Sequence, residues 1–307
     1  EDALKAYEQV VQRAGKFEND PWPEKGGAQL VRFLRPRLEA ALKADDDFEL
    51  INLFHRNGPF ADRLYAGTEL LLKVAEAHRR LGFPIESARL FQSLIRDSKA
   101  EAFHEVALMG LGDSYLEQKD MRAARAVFER YRLQFPVGRF AGQALIGILT
   151  SFEGEGNTPG LVKLGKQWLI RNPRHPDRAL VQLKVADALR QAKRDAEAAP
   201  LYESVLKAGM DLSALDRLRY ADVLARLNRQ EAALALYKQA LVAGLEPEQE
   251  AWAQFQIVQL ARGVKREEFA RNGLRALNEN SDSLVRRMAA VLQTELPEPT
   301  SAAGGKK

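Results

Sequence analysis

Acidic side chains recur in this chain at a register that repeats every 35 to 37 residues, and each has an apolar residue four positions earlier. The acids at this register are Glu76, Asp113, Asp187 and Asp222. The apolar residues at this earlier position are Leu72, Met109, Ile146, Leu183 and Leu218, of which Ile146 precedes Thr150 and the other four precede the acids. Arg190 and Arg226 follow the last two acids by three or four residues. Such residues share a helix face, and an apolar stripe beside carboxylates suits the binding of an amphipathic or basic segment.

The sequence carries no recognisable pattern for catalysis. It has no glycine-rich phosphate loop, no nucleophile elbow and no histidine pair with an adjacent glutamate. Cysteine is absent, which excludes disulfides, thiolate nucleophiles and cysteine metal sites. The four histidines do not share the three- or four-residue spacing of a helical metal pair, and we interpret His78 and His104 as packing or surface residues. We therefore expect a protein that is not an enzyme and has no cofactor or metal.

The charges of the chain are balanced. Its 46 Lys and Arg residues exceed its 42 Asp and Glu residues by only 4, and the two signs are mixed within most predicted helices. This pattern does not predict nucleic-acid binding, which needs a dense basic surface. No apolar run approaches the roughly 18 residues of a membrane-spanning helix. We expect any membrane attachment to depend on an anchor outside this chain.

Residues 106–136 show which elements position these side chains. Leu108, Leu111 and Tyr115 form one stripe of a predicted first helix, and Gly112 lets a second helix approach it. The facing stripe of the second helix is Ala124, Phe128 and Tyr131. Six copies of this helix-turn-helix unit can be registered by the small or apolar residues Ala75, Gly112, Leu149, Ala186, Ala221 and Ile257. Regular spacing of this kind indicates a repeat array.

The repeat register divides the chain into four parts. Residues 1–60 contain N-terminal helices, with a degenerate first repeat as one interpretation. Residues 61–280 contain the six repeats, residues 281–294 a capping helix and residues 295–307 a disordered tail rich in Pro, Ala and Gly. The prolines and glycines of residues 20–27 predict a loop after the first helix, and Pro36 predicts a bend in the second.

The third and sixth copies depart from the pattern. Gly154, Gly156, Pro159 and Gly160 predict a longer turn in the third copy. In the sixth, Phe269 stands where a small residue is expected and predicts a wider helix pair.

The pattern of residues 106–136 resembles the tetratricopeptide repeat. The resemblance covers residues 61–294 and implies an all-α, right-handed α-solenoid of helix-turn-helix repeats with a C-terminal capping helix. It also implies that the first helices line a concave groove, with the eleven apolar, acidic and arginine residues named above facing a protein or peptide partner. Leucine or methionine followed by an acid departs from the lysine and asparagine of the subgroup that grips a terminal carboxylate, so that subgroup is disfavoured.

The linkers between copies, residues 134–141 and 171–179, resemble those of bacterial envelope proteins of the Tol-Pal coordinator and outer-membrane assembly lipoprotein type. This resemblance implies a scaffold or adaptor in a bacterial envelope complex and favours the periplasm over the cytoplasm.

Several alternatives stay open at this point. The chain could instead be the regulatory or partner-docking portion of a larger enzyme or sensor whose catalytic domain lies outside it. Self-association through the degenerate ends is a third interpretation, so the oligomeric state is open. The acids could also be usual features of the repeat, and the apolar row could pack on neighbouring copies.

Overall fold

The computed structural model describes residues 22–56 and 68–263, with a few isolated positions towards each end. Within this part of the chain the elements are helices joined by turns, and no strand occurs. The contacts group the chain into two compact units, Glu1–Asn157 (unit 1) and Thr158–Lys307 (unit 2). The boundary falls after a turn in the third predicted copy. The predicted fold class, an all-α solenoid, is confirmed.

The helices of unit 1 form antiparallel neighbours along the chain. They are α1 (Trp22–Lys43), α2 (Asp47–Arg56), α3 (Glu69–Arg80), α4 (Pro84–Arg96), α5 (His104–Glu117), α6 (Met121–Gln134) and α7 (Ala141–Gly154). A short 3₁₀ segment, Ser98–Phe103, precedes α5.

Unit 2 continues the same alternation. Its helices are α8 (Thr158–Arg171), α9 (Arg178–Gln191), α10 (Asp195–Lys207), α11 (Ala214–Arg226), α12 (Gln230–Ala243) and α13 (Pro247–Gly263).

In the first five copies, whose helices the structure describes, the two helices are joined by a three-residue turn with a left-handed middle residue. These turns are residues 81–83, 118–120, 155–157, 192–194 and 227–229. Their middle residues are Gly82, Lys119, Gly156, Lys193 and Asn228, with φ between 58° and 81°. The predicted longer turn of the third copy is therefore wrong. Gly156 supplies the left-handed conformation without steric cost, and Pro159 lies in the first turn of α8, where its missing N–H is tolerated.

The predicted loop over residues 20–27 is wrong for the residues that the structure describes. Helix α1 begins at Trp22 and includes Gly26 and Gly27. Pro23 is accommodated because the first-turn N–H groups of a helix have no intrahelical partner. The helix also continues through Pro36, and its buried side chains include Leu34 and Leu38.

The core of unit 1 depends on large aromatic rings packed against glycines. The ring of Phe128 on α6 is fully buried between Gly112 of α5 and Gly147 of α7. A Cβ atom at Gly112 would lie 2.5 Å from Cε1 of this ring, and one at Gly147 would overlap its opposite edge. The ring of Phe91 contacts Gly110 in the same way. The small-residue pattern therefore arises because the rings occupy the volume of the missing side chains.

A tyrosine at the end of α6 fastens the linker to the next copy. The Tyr131 hydroxyl donates to the Glu105 carboxylate at 2.6 Å and accepts from the backbone N–H of Phe140 at 2.9 Å. A Cβ atom at Gly138 would lie 2.5 Å from this hydroxyl. The linkers at residues 135–140 and 172–177 are six residues long, so the extra residues of these copies lie between helix pairs, as the sequence predicts.

Most of the predicted capping helix lies outside the described residues. Four of its positions are described, and Ala289 is buried in a cluster with Ala251, Val258, Leu274 and Leu277. The predictions for Phe269, for the tail at 295–307 and for most of residues 1–21 and 57–67 also fall outside the described part of the chain.

Substituting Gly147 tests the ring-on-glycine packing. Gly147→Val would drive a side chain into the Phe128 ring, so we expect the free energy of unfolding to fall by roughly 1–3 kcal/mol. Chemical denaturation followed by circular dichroism measures this change. Gln143→Val places the same side chain at an exposed position of α7 and should change stability by less than about 0.5 kcal/mol. Equal losses in the two variants would contradict the packing argument.

Candidate functional site

The predicted binding residues lie on the first helices of successive copies. In unit 1, α3 contacts α5 and α5 contacts α7; in unit 2, α9 contacts α11 and α11 contacts α13. The ion pair of Arg79 with Glu117, at 3.0 Å, joins α3 to α5. Each unit therefore presents its first helices side by side, and residues at one register position form a row across them.

The apolar row is not equally available to a partner. Leu72 and Leu218 are only 6% and 5% exposed, so they belong mainly to the core. Met109, Ile146 and Leu183 are half-buried and retain a surface that a partner could cover. The row therefore serves packing at some copies and leaves contact surface at others.

The acids of unit 2 are held by side chains of the same unit. Asp187 is 8% exposed and accepts from the Tyr202 hydroxyl at 2.5 Å and from Arg219 Nη1 at 2.6 Å. Asp222 accepts from the Tyr237 hydroxyl at 2.6 Å and from the indole Nε1–H of Trp252 at 3.0 Å. In both copies the tyrosine follows the acid by 15 residues. Burial and the neighbouring carboxylate raise the pKa of each tyrosine.

The corresponding acids of unit 1 have no tyrosine donor, because phenylalanine stands 15 residues after each of them. Glu76 pairs with Lys73 at 3.2 Å and lies 4.0 Å from Arg80. Asp113 accepts no hydrogen bond from any residue in the described ranges. Burial raises the pKa of Asp113, the nearby Arg79 lowers it, and Glu117 raises it further.

The predicted arginines are also engaged within unit 2. Arg190 Nε lies 3.4 Å from Asp187. Arg226 donates two hydrogen bonds of 2.7 Å to the Asp195 carboxylate, and this pairing raises the pKa of Arg226. These arginines therefore neutralise carboxylates of their own unit.

Two features were missed in the sequence. Trp252 is 43% exposed although its indole N–H is bonded to Asp222. The register of the sixth copy includes this position, but periodicity alone does not show that its side chain contacts Asp222 on another helix. His55 and His78 come from different helices, so no sequence spacing relates them, yet their Nε2 atoms lie 2.7 Å apart.

The histidine contact has a defined proton arrangement. His78 is 1% exposed, and its Nδ1 lies 2.7 Å from the Val74 carbonyl oxygen. A carbonyl only accepts, so Nδ1 carries the hydrogen, and Nε2 of neutral His78 accepts from His55. Burial lowers the pKa of His78, the Val74 hydrogen bond opposes this, and His55 adds to it; Glu86 and Arg89 of α4 act in opposite directions.

Two cavities accompany these surfaces. One of about 930 Å³ in unit 1 is lined by both acids and bases of α1, α2 and α3, among them Arg35, Glu39 and Lys73. One of about 500 Å³ in unit 2 lies beside Arg174, Arg178 and Ser204.

Among the described residues, no group of three or more His, Asp or Glu side chains is placed to hold a metal ion. Within the same ranges, none of the helices combines the length and apolarity needed to cross a bilayer.

Paired helices, short turns and aromatic rings on small residues define an α-helical repeat protein. The family model of the tetratricopeptide repeat matches residues 72–138 and 167–213, so these segments are similar to that repeat. Such repeats generally mediate protein–protein interaction. No curated protein is similar enough in sequence to count as a relative.

Solved structures of bacterial proteins share the fold. The C-terminal part of a tetratricopeptide repeat-containing protein of Cytophaga hutchinsonii is similar with a TM-score of 0.62 and 13% identity, and the match covers 83% of this chain and 98% of that part. PilF of Pseudomonas aeruginosa gives 0.59 and 14% identity, covering 76% of this chain and 99% of its own. A tetratricopeptide repeat protein of Parabacteroides merdae gives 0.54 and 12%, with coverages of 86% and 99%.

The buried histidine predicts that acid destabilises the folded protein. The pKa of His78 is lower in the folded state, so below about pH 6.5 the unfolded chain binds a proton that the folded chain excludes. We expect the free energy of unfolding to fall between pH 7.5 and pH 5.5, and to fall less in His78→Gln. Urea denaturation at both pH values measures this. The control is His104→Gln, at a half-buried histidine with no histidine neighbour among the described residues, and it should keep the wild-type pH dependence. If this control alone lost the dependence, the assignment of the pH effect to His78 would be contradicted.

Proposed function

We propose that this protein is a non-catalytic scaffold that binds a partner protein on the first helices of unit 1. The surface consists of Met109, Asp113 and Ile146, which we call the Asp113 surface. The observation that supports it is the state of Asp113, a partly desolvated carboxylate to which no described residue donates a hydrogen bond.

An acid in this state lowers the stability of the fold. A desolvated carboxylate without a donor is unfavourable, and a donor supplied by a partner would contribute roughly 1.5–3 kcal/mol of binding free energy. In unit 2, tyrosine hydroxyls provide such donors internally. In unit 1, Phe128 stands in place of the tyrosine, so the acceptor stays open for a partner.

The neighbouring side chains favour an amphipathic or basic segment. Met109 and Ile146 flank the acid at the apolar register and are half-buried, so further burial would be favourable. The charge of Arg79 is compensated by Glu117 at 3.0 Å. A segment with apolar side chains and a cationic or amide donor between them would match this arrangement.

The predicted residues of unit 2 contribute to this proposal in different ways. Leu183 and Asp222 keep accessible surface, whereas Leu218 and Asp187 are buried. Because Leu218 is buried, a charged replacement there would measure the stability of the core and not the binding of a partner. The variants that decide this proposal are therefore in unit 1.

We further propose that the scaffold works in a bacterial envelope complex. The linkers at 134–141 and 171–179 support this setting through their similarity to those of envelope repeat proteins. Fractionation of the native organism, with antibodies against this chain, tests the setting. Recovery in the cytoplasmic fraction alone would refute it and would leave the binding proposal intact.

Variants of the Asp113 surface test the proposed function. We expect a partner captured by the immobilised wild-type chain from native membrane extract to be reduced at least tenfold by Met109→Glu or Ile146→Glu, because each buries an unpaired charge at the interface. Quantitative mass spectrometry of the retained proteins measures the change. Leu133→Glu, at an exposed apolar position on the second helix α6, is the matched control and should retain the partner.

Asp113→Asn separates binding from folding. The pKa of Asp113 is raised in the folded state, so its ionisation at neutral pH opposes folding and the uncharged asparagine should unfold at a higher denaturant concentration. The same variant should retain less partner. Undiminished capture by the folded Met109, Ile146 and Asp113 variants would refute the Asp113 surface.

A further inference from the structure

Trp252 is a large aromatic side chain that the fold holds in one orientation at the surface of unit 2. Its Nε1–H donates to Asp222 Oδ1 at 3.0 Å, and its ring stacks on Phe255 with centroids 5.9 Å apart and planes inclined by 26°. Phe255 in turn packs against the buried cluster that contains Val258 and Ala289. The indole is nevertheless 43% exposed. Its accessible face is therefore pre-organised before any partner arrives.

The carboxylate beside the indole has unused acceptor capacity. Both Trp252 and Tyr237 donate to Oδ1 of Asp222, and no described residue donates to Oδ2. An ionised carboxylate offers about four lone-pair sites on its two oxygens. An exposed aromatic face beside an open carboxylate oxygen is suited to a group that is positively charged and donates hydrogen bonds.

The surrounding charges also favour a cation. Arg226 follows Asp222 by four residues and interacts with it electrostatically, but its guanidinium is held by Asp195 through two hydrogen bonds of 2.7 Å. Glu250 lies two residues before Trp252 and is exposed. In unit 1, Arg125 and Arg139 lie over the rings of Phe152 and Phe140, so this protein already holds cations on aromatic faces.

We propose that Trp252 and Asp222 form a second binding site, in unit 2, for an arginine or lysine side chain of a protein partner. The cation lies over the indole face, while its N–H groups donate to Oδ2 of Asp222. Tryptophan is the aromatic ring that best attracts cations in this way, within about 6 Å of its centroid. The site is in the other unit from the Asp113 surface and does not depend on it.

The site fits a folded scaffold because it requires little rearrangement. Phe255 and the hydrogen bond to Asp222 already fix the indole, so binding orders mainly the side chain of the partner. A single cation contact of this kind gives only weak binding of an isolated amino acid. In a longer segment it would add to other contacts of the same partner.

The indole N–H resonance of Trp252 in the full chain provides a direct test. We expect saturable shifts of this resonance, assigned by its loss in Trp252→Phe, on titration with N-acetyl-arginine amide, with a dissociation constant on the order of 10 mM or above. N-acetyl-citrulline amide has nearly the same shape without the charge, and it should give no saturable shift. Equal shifts with both probes, or none with the arginine probe, would overturn the proposal.

The carboxylate requires its own variant. In Asp222→Asn the amide oxygen can still accept from Trp252 and Tyr237, so the indole should keep its place while the affinity for the arginine probe falls at least threefold. Glu231→Gln removes one exposed carboxylate from α12 of the same unit and should leave the affinity within twofold of wild type. An unchanged affinity in a folded Asp222→Asn chain would also overturn the proposal. Partner capture by the Asp113 surface is read out separately, so either site can fail while the other stands.

Discussion

Close packing of aromatic rings on glycine is the constraint on which the rest of the structure depends. Phe128 occupies the space above Gly112 and Gly147, which brings α6 against both α5 and α7. Within each unit, three-residue turns with a left-handed middle residue join the two helices of a described copy. Because these two elements set the spacing of the helices, the side chains at each register position of the first helices fall into rows.

The same aromatic position also decides what the acids of these rows do. Where it holds tyrosine, as at Tyr202 and Tyr237, the hydroxyl reaches the acid of the first helix and satisfies it. Where it holds phenylalanine, as at Phe128, the ring is fully buried but offers no donor, and no described residue donates a hydrogen bond to Asp113. The presence or absence of the tyrosine hydroxyl therefore decides whether the acid is paired within the fold or is a candidate binding residue.

The two units consequently offer different surfaces from similar repeats. Unit 1 presents an open acid between apolar side chains on α5 and α7. Unit 2 has internally paired acids and arginines, and its distinctive surface is the indole of Trp252 beside Asp222. A repeat protein can diversify in this way because a change at one position alters the surface of one copy while the packing of the other copies stays the same.

The sequence by itself determined the fold class, the repeat register and the placement of the extra residues in the linkers. These follow from local periodicity and from the volumes of small and large residues, which act between neighbours in the chain. It did not determine the length of the turn after Gly154 or the start of α1, because glycine and proline are compatible with both loop and helix-terminal conformations.

Only the tertiary structure decided which members of each row are accessible. Leu72 and Met109 occupy the same register, yet one is buried and the other is half-buried, because exposure depends on the neighbouring helices of each unit. The partners of Asp187, Asp195 and Asp222 come from other helices. The sequence thus identified the positions that could bind, and contacts between distant residues determined which of them are free to do so.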